Sequence, residues 1–141
     1  MILPDLNLLV YAHNAGAPDH AASRAWWENL LNSQEPVAMP WAVALGFIRL
    51  VTHRVVLDTP MTSTVAVGHV RSWFAQPNVE PIEPGRQHLD VLDRLLSAAG
   101  VAGNLTTDAH LAALAIEYQC ELHSNDADFA RFPGLRWRNP L

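Results

Sequence analysis

There is no lysine in the sequence: all nine basic residues are arginines. That absence removes Schiff-base chemistry and the phosphate-binding lysine of a P-loop, and no glycine-rich phosphate loop is present either. A single cysteine, Cys120, rules out an internal disulfide, and its apolar helical surroundings predict a buried core thiol rather than a nucleophile. Basic charge is scarce altogether. Nine arginines face fourteen acidic residues, for a formal charge of −5, which argues against a general nucleic-acid coat held by many phosphate contacts. A small acidic site around a divalent cation escapes that argument, because the metal inverts the local field. Apolar runs are too short to span a bilayer, and Pro4 and Asp5 interrupt the N-terminus before a signal-peptide core can develop. The expectation is a cytoplasmic protein with no membrane segment.

What is present is apolar and periodic. Half of the 141 residues are hydrophobic, which suits one ordered domain over residues 1–141. Ile2-Leu3-Pro4 predicts a first strand, followed by helices over Leu6 to about His13 and over Asp19 to roughly Asn32. The adjacent Trp26 and Trp27 cannot share one narrow helix face, so one packs on the core and the other at an edge. Pro36 to Met39 reads as a second strand, and Trp41 to His53 as a strongly apolar helix with Gly46 inside it. Glycine there costs about 1 kcal/mol against alanine, so close packing or room for a ligand is expected. A helix follows from Thr62 or Ser63 to near Ala75, then an edge strand at Val79 to Ile82, whose internal Pro81 excludes a central position. A helix from about Gly85 to Ala99 is closed by Gly100 and Gly103. Thr107-Asp108 precede another helix, and Glu121 to Ser124 and Leu135 to Arg138 read as the last strands. Strands alternating with helices predict an α/β fold with a parallel sheet covered on both faces.

In such a sheet, ligands sit beyond the carboxyl ends of the strands. Asp5 ends the first strand, Asp108 opens a late helix and Asp126 follows a late strand. Each has an ordinary alternative: Asp5 and Asp108 as helix caps, with Thr107 competing for the second, and Asp126 and Asp128 as turn formers. Three carboxylates at one kind of boundary nevertheless offer the hard oxygen donors that Mg²⁺ takes together with substrate phosphates and water. His13 and His20 lack a third partner at metal-ligand spacing, so no zinc site is expected. His110, two residues beyond Asp108, points to another side of its helix and reads as a surface or packing residue.

Three segments make the chain recognisable: Asp5-Leu-Asn-Leu-Leu-Val-Tyr-Ala, Asp108-Ala-His-Leu-Ala-Ala-Leu-Ala and Ser124-Asn-Asp-Ala-Asp-Phe-Ala-Arg-Phe-Pro-Gly-Leu. Together they resemble the PIN-domain ribonucleases, and more narrowly the VapC-type toxins of bacterial toxin–antitoxin pairs. The resemblance spans essentially the whole chain. It implies a three-layer α/β/α sandwich with a short parallel sheet, and an Mg²⁺- or Mn²⁺-dependent endoribonuclease, commonly a homodimer, whose cognate antitoxin blocks the site. By position, Asp5, Asp108 and Asp126 match the family's metal-binding and catalytic acids, with Asp128 as an additional acidic candidate. Asn7 matches the polar residue two after the first Asp, and Ser124 the small hydroxyl residue before the last acidic motif. Arg49 is expected to hold a substrate phosphate or to pair with a carboxylate.

The chain departs from that family in one place. Many members carry a glutamate where Gly46 stands, ahead of the residues matched by Phe47 and Arg49. One carboxylate fewer implies weaker metal binding, with an RNA phosphate able to supply the missing oxygen. The alternative reading is therefore a catalytically weakened PIN-like module that binds RNA or protein. A phosphoacceptor receiver domain also gathers carboxylates around Mg²⁺, but it uses a lysine, and this chain has none.

Overall fold

The structure is a computed structural model and describes residues 1–100 and 103–141. Strand β1 spans Ile2–Pro4 and is followed by helices α1, Leu6–His13, and α2, His20–Leu31. Next come β2, Val37–Pro40, with α3, Trp41–Val51, and α4, Ser63–Phe74; then β3, Val79–Ile82, with α5, His88–Ala99, and α6, Thr106–Glu117. Strands β4, Glu121–His123, and β5, Arg136–Arg138, end the chain. All strand pairs are parallel, in the order β3-β2-β1-β4-β5. The chain steps from β1 to β2 to β3 and then crosses back over the sheet to β4. Helices α1 to α4 pack together, as do α5 and α6, giving the three-layer α/β/α arrangement.

The register of the sheet fixes where chemistry can happen. Proline closes two neighbouring strands, Pro4 in β1 and Pro40 in β2, and Pro81 sits in the edge strand β3. Proline brings no amide hydrogen to the ladder, so each of these positions lacks one donor for pairing. Beyond Pro4 the chain makes one more pairing bond, from Asp5 N to His123 O at 2.9 Å, and turns into α1. All five carboxyl ends point the same way, and that edge carries Asp5 and Ser124. Beneath it lies an apolar core in which Leu3, Leu8, Val37, Met39, Phe47 and Leu122 are fully buried.

Boundaries differ from the sequence reading in a few places. Helix α3 stops at Val51, because Thr52 bonds back to Ile48 O through its hydroxyl and ends the turn before His53. Helix α5 begins at His88, three residues later than expected, after a turn that the Gly85 carbonyl closes onto His88 N. Helix α6 begins at Thr106, so Asp108 lies inside its first turn and caps nothing. Cys120 is buried as expected but sits between α6 and β4, with its thiol 3.8 Å from Tyr118 O, not within a helix. Trp27 is in the core, and Trp26 lies at the rim with its indole donating to His123 Nδ1 at 3.2 Å.

Candidate active site

Asp5 does both things its position allows. Its Oδ1 accepts from Leu6 N at 2.7 Å and caps α1, while its Oδ2 accepts from the Ser124 hydroxyl at 2.7 Å. Only 5% of the residue is exposed. Burial raises its pKa, the hydrogen bonds from Ser124 and Leu6 pull it back, and the charge of Asp126 raises it again. Each oxygen keeps a second lone pair free for another partner.

Ser124 is held from every side. Its amide donates to Arg138 O at 3.1 Å, its carbonyl accepts from Trp137 Nε1 at 3.0 Å, and its hydroxyl oxygen accepts from Asp126 N at 3.0 Å. Strand β5 thus serves as a brace for the serine that orients Asp5. The sequence marked Ser124 itself but gave no sign of this support from Trp137, because a single indole in a short edge strand has no spacing signature.

Asp126 and Asp128 belong to the turn that follows. Asp126 Oδ1 accepts from Asp128 N at 2.9 Å, the i to i+2 closure of an Asx turn, and the chain then enters a 3-10 turn at Ala127–Arg131. Asp128 is exposed and pairs loosely with Arg131 Nε at 3.5 Å. On the first turn of α6, half-buried Asp108 has its pKa pushed up to about 6, by burial first and then by the charges of Asp5, Asp126 and Asp128. Four carboxylates from three separated segments therefore act on one another. Among the described residues, the Asn7 and Arg49 side chains make no hydrogen bond or ion pair; both are exposed.

The donor chemistry of this cluster fits a hard divalent cation: carboxylate oxygens that repel one another, one of them buried and fixed. The spacing is looser than the chemistry. Among the described residues, no three His, Cys, Asp or Glu side chains are arranged to share one ion. Gly46 explains part of this. A Cβ at that position would stand 2.7 Å from Leu6 Cδ2, so the side chain after Asp5 fills the space that a longer residue on α3 would take.

The PIN domain family profile matches residues 2–135. The chain belongs to the PIN-domain family. This PIN domain is 44% identical to Ribonuclease VapC33 of Mycobacterium tuberculosis over 141 residues, covering 100% of this chain and 99% of that one. It is 37% identical to Ribonuclease VapC37 of the same species over 140 residues, covering 99% and 97%. Among solved structures it is similar to VapBC2 from Rickettsia felis bound to a DNA fragment from their promoter, with a TM-score of 0.71 at 21% identity over 99% of this chain and 98% of that one. It is also similar to Mycobacterium tuberculosis VapC20, a sarcin-ricin loop cleaving toxin, with a TM-score of 0.70 at 17% identity, covering 96% and 99%. At those identities the structural likeness is one of fold.

The PIN domain also holds a polar chain that the sequence reading passed over. His88 Nδ1 lies 2.6 Å from Glu117 Oε2, and His88 Nε2 lies 2.8 Å from His110 Nδ1. Read alone, His110 was a packing or surface residue. A signal existed, since His110 and Glu117 are seven apart and so share a face of α6. His88, twenty-two residues earlier, carried none.

Proposed function

We propose that this chain is a metal-dependent endoribonuclease toxin of the VapC type, hydrolysing RNA phosphodiester bonds and restrained by a cognate antitoxin. The observation that carries the reading is the gathering of Asp5, Asp108, Asp126 and Asp128 at the carboxyl edge of the sheet, with Asp5 fixed by Ser124 and Leu6 N; burial first, and then the other three charges, push Asp108 up to about 6. Full-length identity to proteins named as VapC ribonucleases supports the same reaction class.

In this reading Asp5, Asp108 and Asp126 would hold Mg²⁺ or Mn²⁺, drawing closer together around the ion than they stand without it. When bound, the cation supplies Lewis acidity that acidifies the attacking water and neutralises charge on the phosphodiester. The chain's own residues set up the rest. Ser124 and Leu6 N pin the Asp5 carboxylate before any ligand arrives, so no side-chain freedom is lost at that position on binding. Asp128 adds negative potential and takes up an outer position, while Asn7 and Arg49 are free at the surface to meet the RNA. Arg49 suits a phosphate because its guanidinium offers paired donors. Homodimerisation, an antitoxin that covers the acidic edge and a cytoplasmic setting complete the proposal; no helix among the described residues is long and apolar enough to cross a membrane.

The test is cleavage of total cellular RNA by purified, antitoxin-free protein. Asp5→Ala is expected to abolish Mn²⁺-dependent cleavage, and undiminished cleavage would refute the assignment. Gly46 favours a second reading, a PIN domain that binds RNA with little turnover. Calorimetric metal titration run beside the cleavage assay separates the two: metal-binding protein that binds RNA but leaves it intact is the second.

A further inference from the structure

Beside the carboxylates, on the β2 and β3 side of the same edge, lies a cavity of about 560 Å³. Its walls include Pro40, Trp41, Ile82, Glu83, Pro84 and His110, drawn from the ends of β2 and β3, the start of α3 and the middle of α6. None of the acids described above lines it. Its nearest link to them along the chain is His110, two residues past Asp108 on α6.

We propose that this cavity is a subsite for one unpaired nucleobase of the RNA substrate, stacked on Trp41 and hydrogen-bonded by His110. The proposal rests on the ribonuclease reading of the adjoining carboxylates. Its volume lies in the range of about 300–1,000 Å³ typical of small-ligand sites. Trp41 is 43% exposed, yet its ring is not loose: it packs against Phe74 with centroids 5.3 Å apart, which leaves the remaining surface of the indole as a held platform. Every base has a π-face, so an aromatic platform accepts any of them.

His110 supplies direction. Its Nδ1 is engaged by His88, and His88 in turn by Glu117, so the ring is held from one side; His110 lines the cavity, and its Nε2 is the ring nitrogen that makes no hydrogen bond among the described residues. An imidazole fixed in this way reads a base edge at a definite angle. The opposite wall is fixed as well, because Tyr118 Oη donates to Glu83 O at 2.8 Å and accepts from Glu83 N at 3.4 Å. The lining also distinguishes base from backbone. Among the described residues it includes Glu83 and no arginine, so its formal charge is negative, which disfavours a phosphate and suits the amino and imino donors of a base. A strand drawn across the acidic edge for cleavage passes this opening.

The experiment uses full-length protein carrying Asp108→Asn, which blocks turnover, with Mg²⁺ present. The probe is a set of single-stranded RNA octamers, each with one 2-aminopurine at a different position. Stacking on an aromatic ring quenches that fluorophore, so one position is expected to dim on binding while its neighbours stay bright. Adding Trp41→Ala is expected to abolish the quench and weaken binding by roughly 5- to 150-fold, the range set by stacking one base on an aromatic side chain. Trp41→Phe keeps a platform and is expected to restore most of both. His110→Ala is expected to retain the quench and lose discrimination among bases at that position. Circular dichroism and melting curves identify any variant that fails to fold, in which case Trp41→Phe and His110→Ala carry the test.

Equal affinity and equal quench for folded Trp41→Ala would overturn the subsite. So would a result in which Trp41→Ala leaves RNA binding intact and instead dissolves a dimer in sedimentation velocity, which would make this face a protein contact. If the parent protein binds no RNA at all, and the wild type cleaves none, the ribonuclease reading itself fails, a different outcome from loss of the subsite.

Discussion

Asp108 sits half-buried near three other carboxylates, and its charge is a burden to the fold that a bound cation would relieve. Its pKa rises from 3.8 to about 6, so the stability it can contribute is fully present below 3.8 and lost as pH rises through about 6. At neutral pH the metal-free protein carries the whole penalty. Two units correspond to about 3 kcal/mol, which solvent screening of a half-exposed group reduces to about 1–2 kcal/mol. Asp108→Asn is therefore expected to melt about 3–6 °C above the wild type in chelator at neutral pH. The same substitution should remove Mn²⁺-dependent cleavage, so one variant gains stability and loses function. Differential scanning calorimetry beside the RNA assay reads both, and a lower melting point in chelator would show that the four acids do not oppose one another.

Packing between elements sets the next effects. Where α1 meets α3, the absent side chain of Gly46 makes room for Leu6. Introducing Gly46→Glu together with Leu6→Ala opens that space and adds an acid beside Asp5. In chelator this double variant is expected to melt below the wild type, because a further buried charge joins the cluster. With Mn²⁺ it is expected to recover, and to bind the ion about tenfold more tightly in calorimetry, as an added hard ligand should. At the other end of α1, His13 is wedged among Phe47, His69 and Trp73, with Nδ1 2.7 Å from Leu9 O. Burial first, against the opposing hydrogen bond to Leu9 O, and then electrostatic repulsion from the side of His69, His20 and Arg24, hold its pKa below 6.5; Arg24 is itself paired with Glu28. A depressed histidine contributes stability that is intact above 6.5 and lost as pH falls below it. Urea midpoints taken above and below that value should drop for the wild type and drop less for His13→Gln. Much of this layer was legible beforehand. Apolar periodicity located the helices, the internal proline of Val79 to Ile82 correctly made it an edge strand, and Thr62 served as the cap of α4 through its hydroxyl and Val65 N. The acids were legible because strand ends and helix starts are marked by composition. What stayed hidden depended on pairs far apart in the chain, such as His88 with His110 or Trp137 with Ser124, since no local pattern encodes a contact across a sheet.

At the scale of the molecule, a net charge of −5 and an acidic edge mean that RNA and protein repel each other until a divalent ion intervenes. Metal that binds only the folded state also stabilises the whole domain, by about 2.7 kcal/mol at a hundredfold excess over its dissociation constant. Titrating Mn²⁺ is thus expected to raise the melting temperature of the wild type and to leave Asp5→Ala unmoved; an equal rise in both would place the ion elsewhere. One further consequence follows from the hydrogen bond that joins Ser124 to Asp5 across 119 positions of sequence. Asp5 leaves the ribosome well before its serine partner, Asp126 and the brace from Trp137. A nascent chain therefore carries an unassembled site until β4 and β5 have been made and have joined the sheet beside β1, so the translating cell is spared the finished site through that stretch of synthesis.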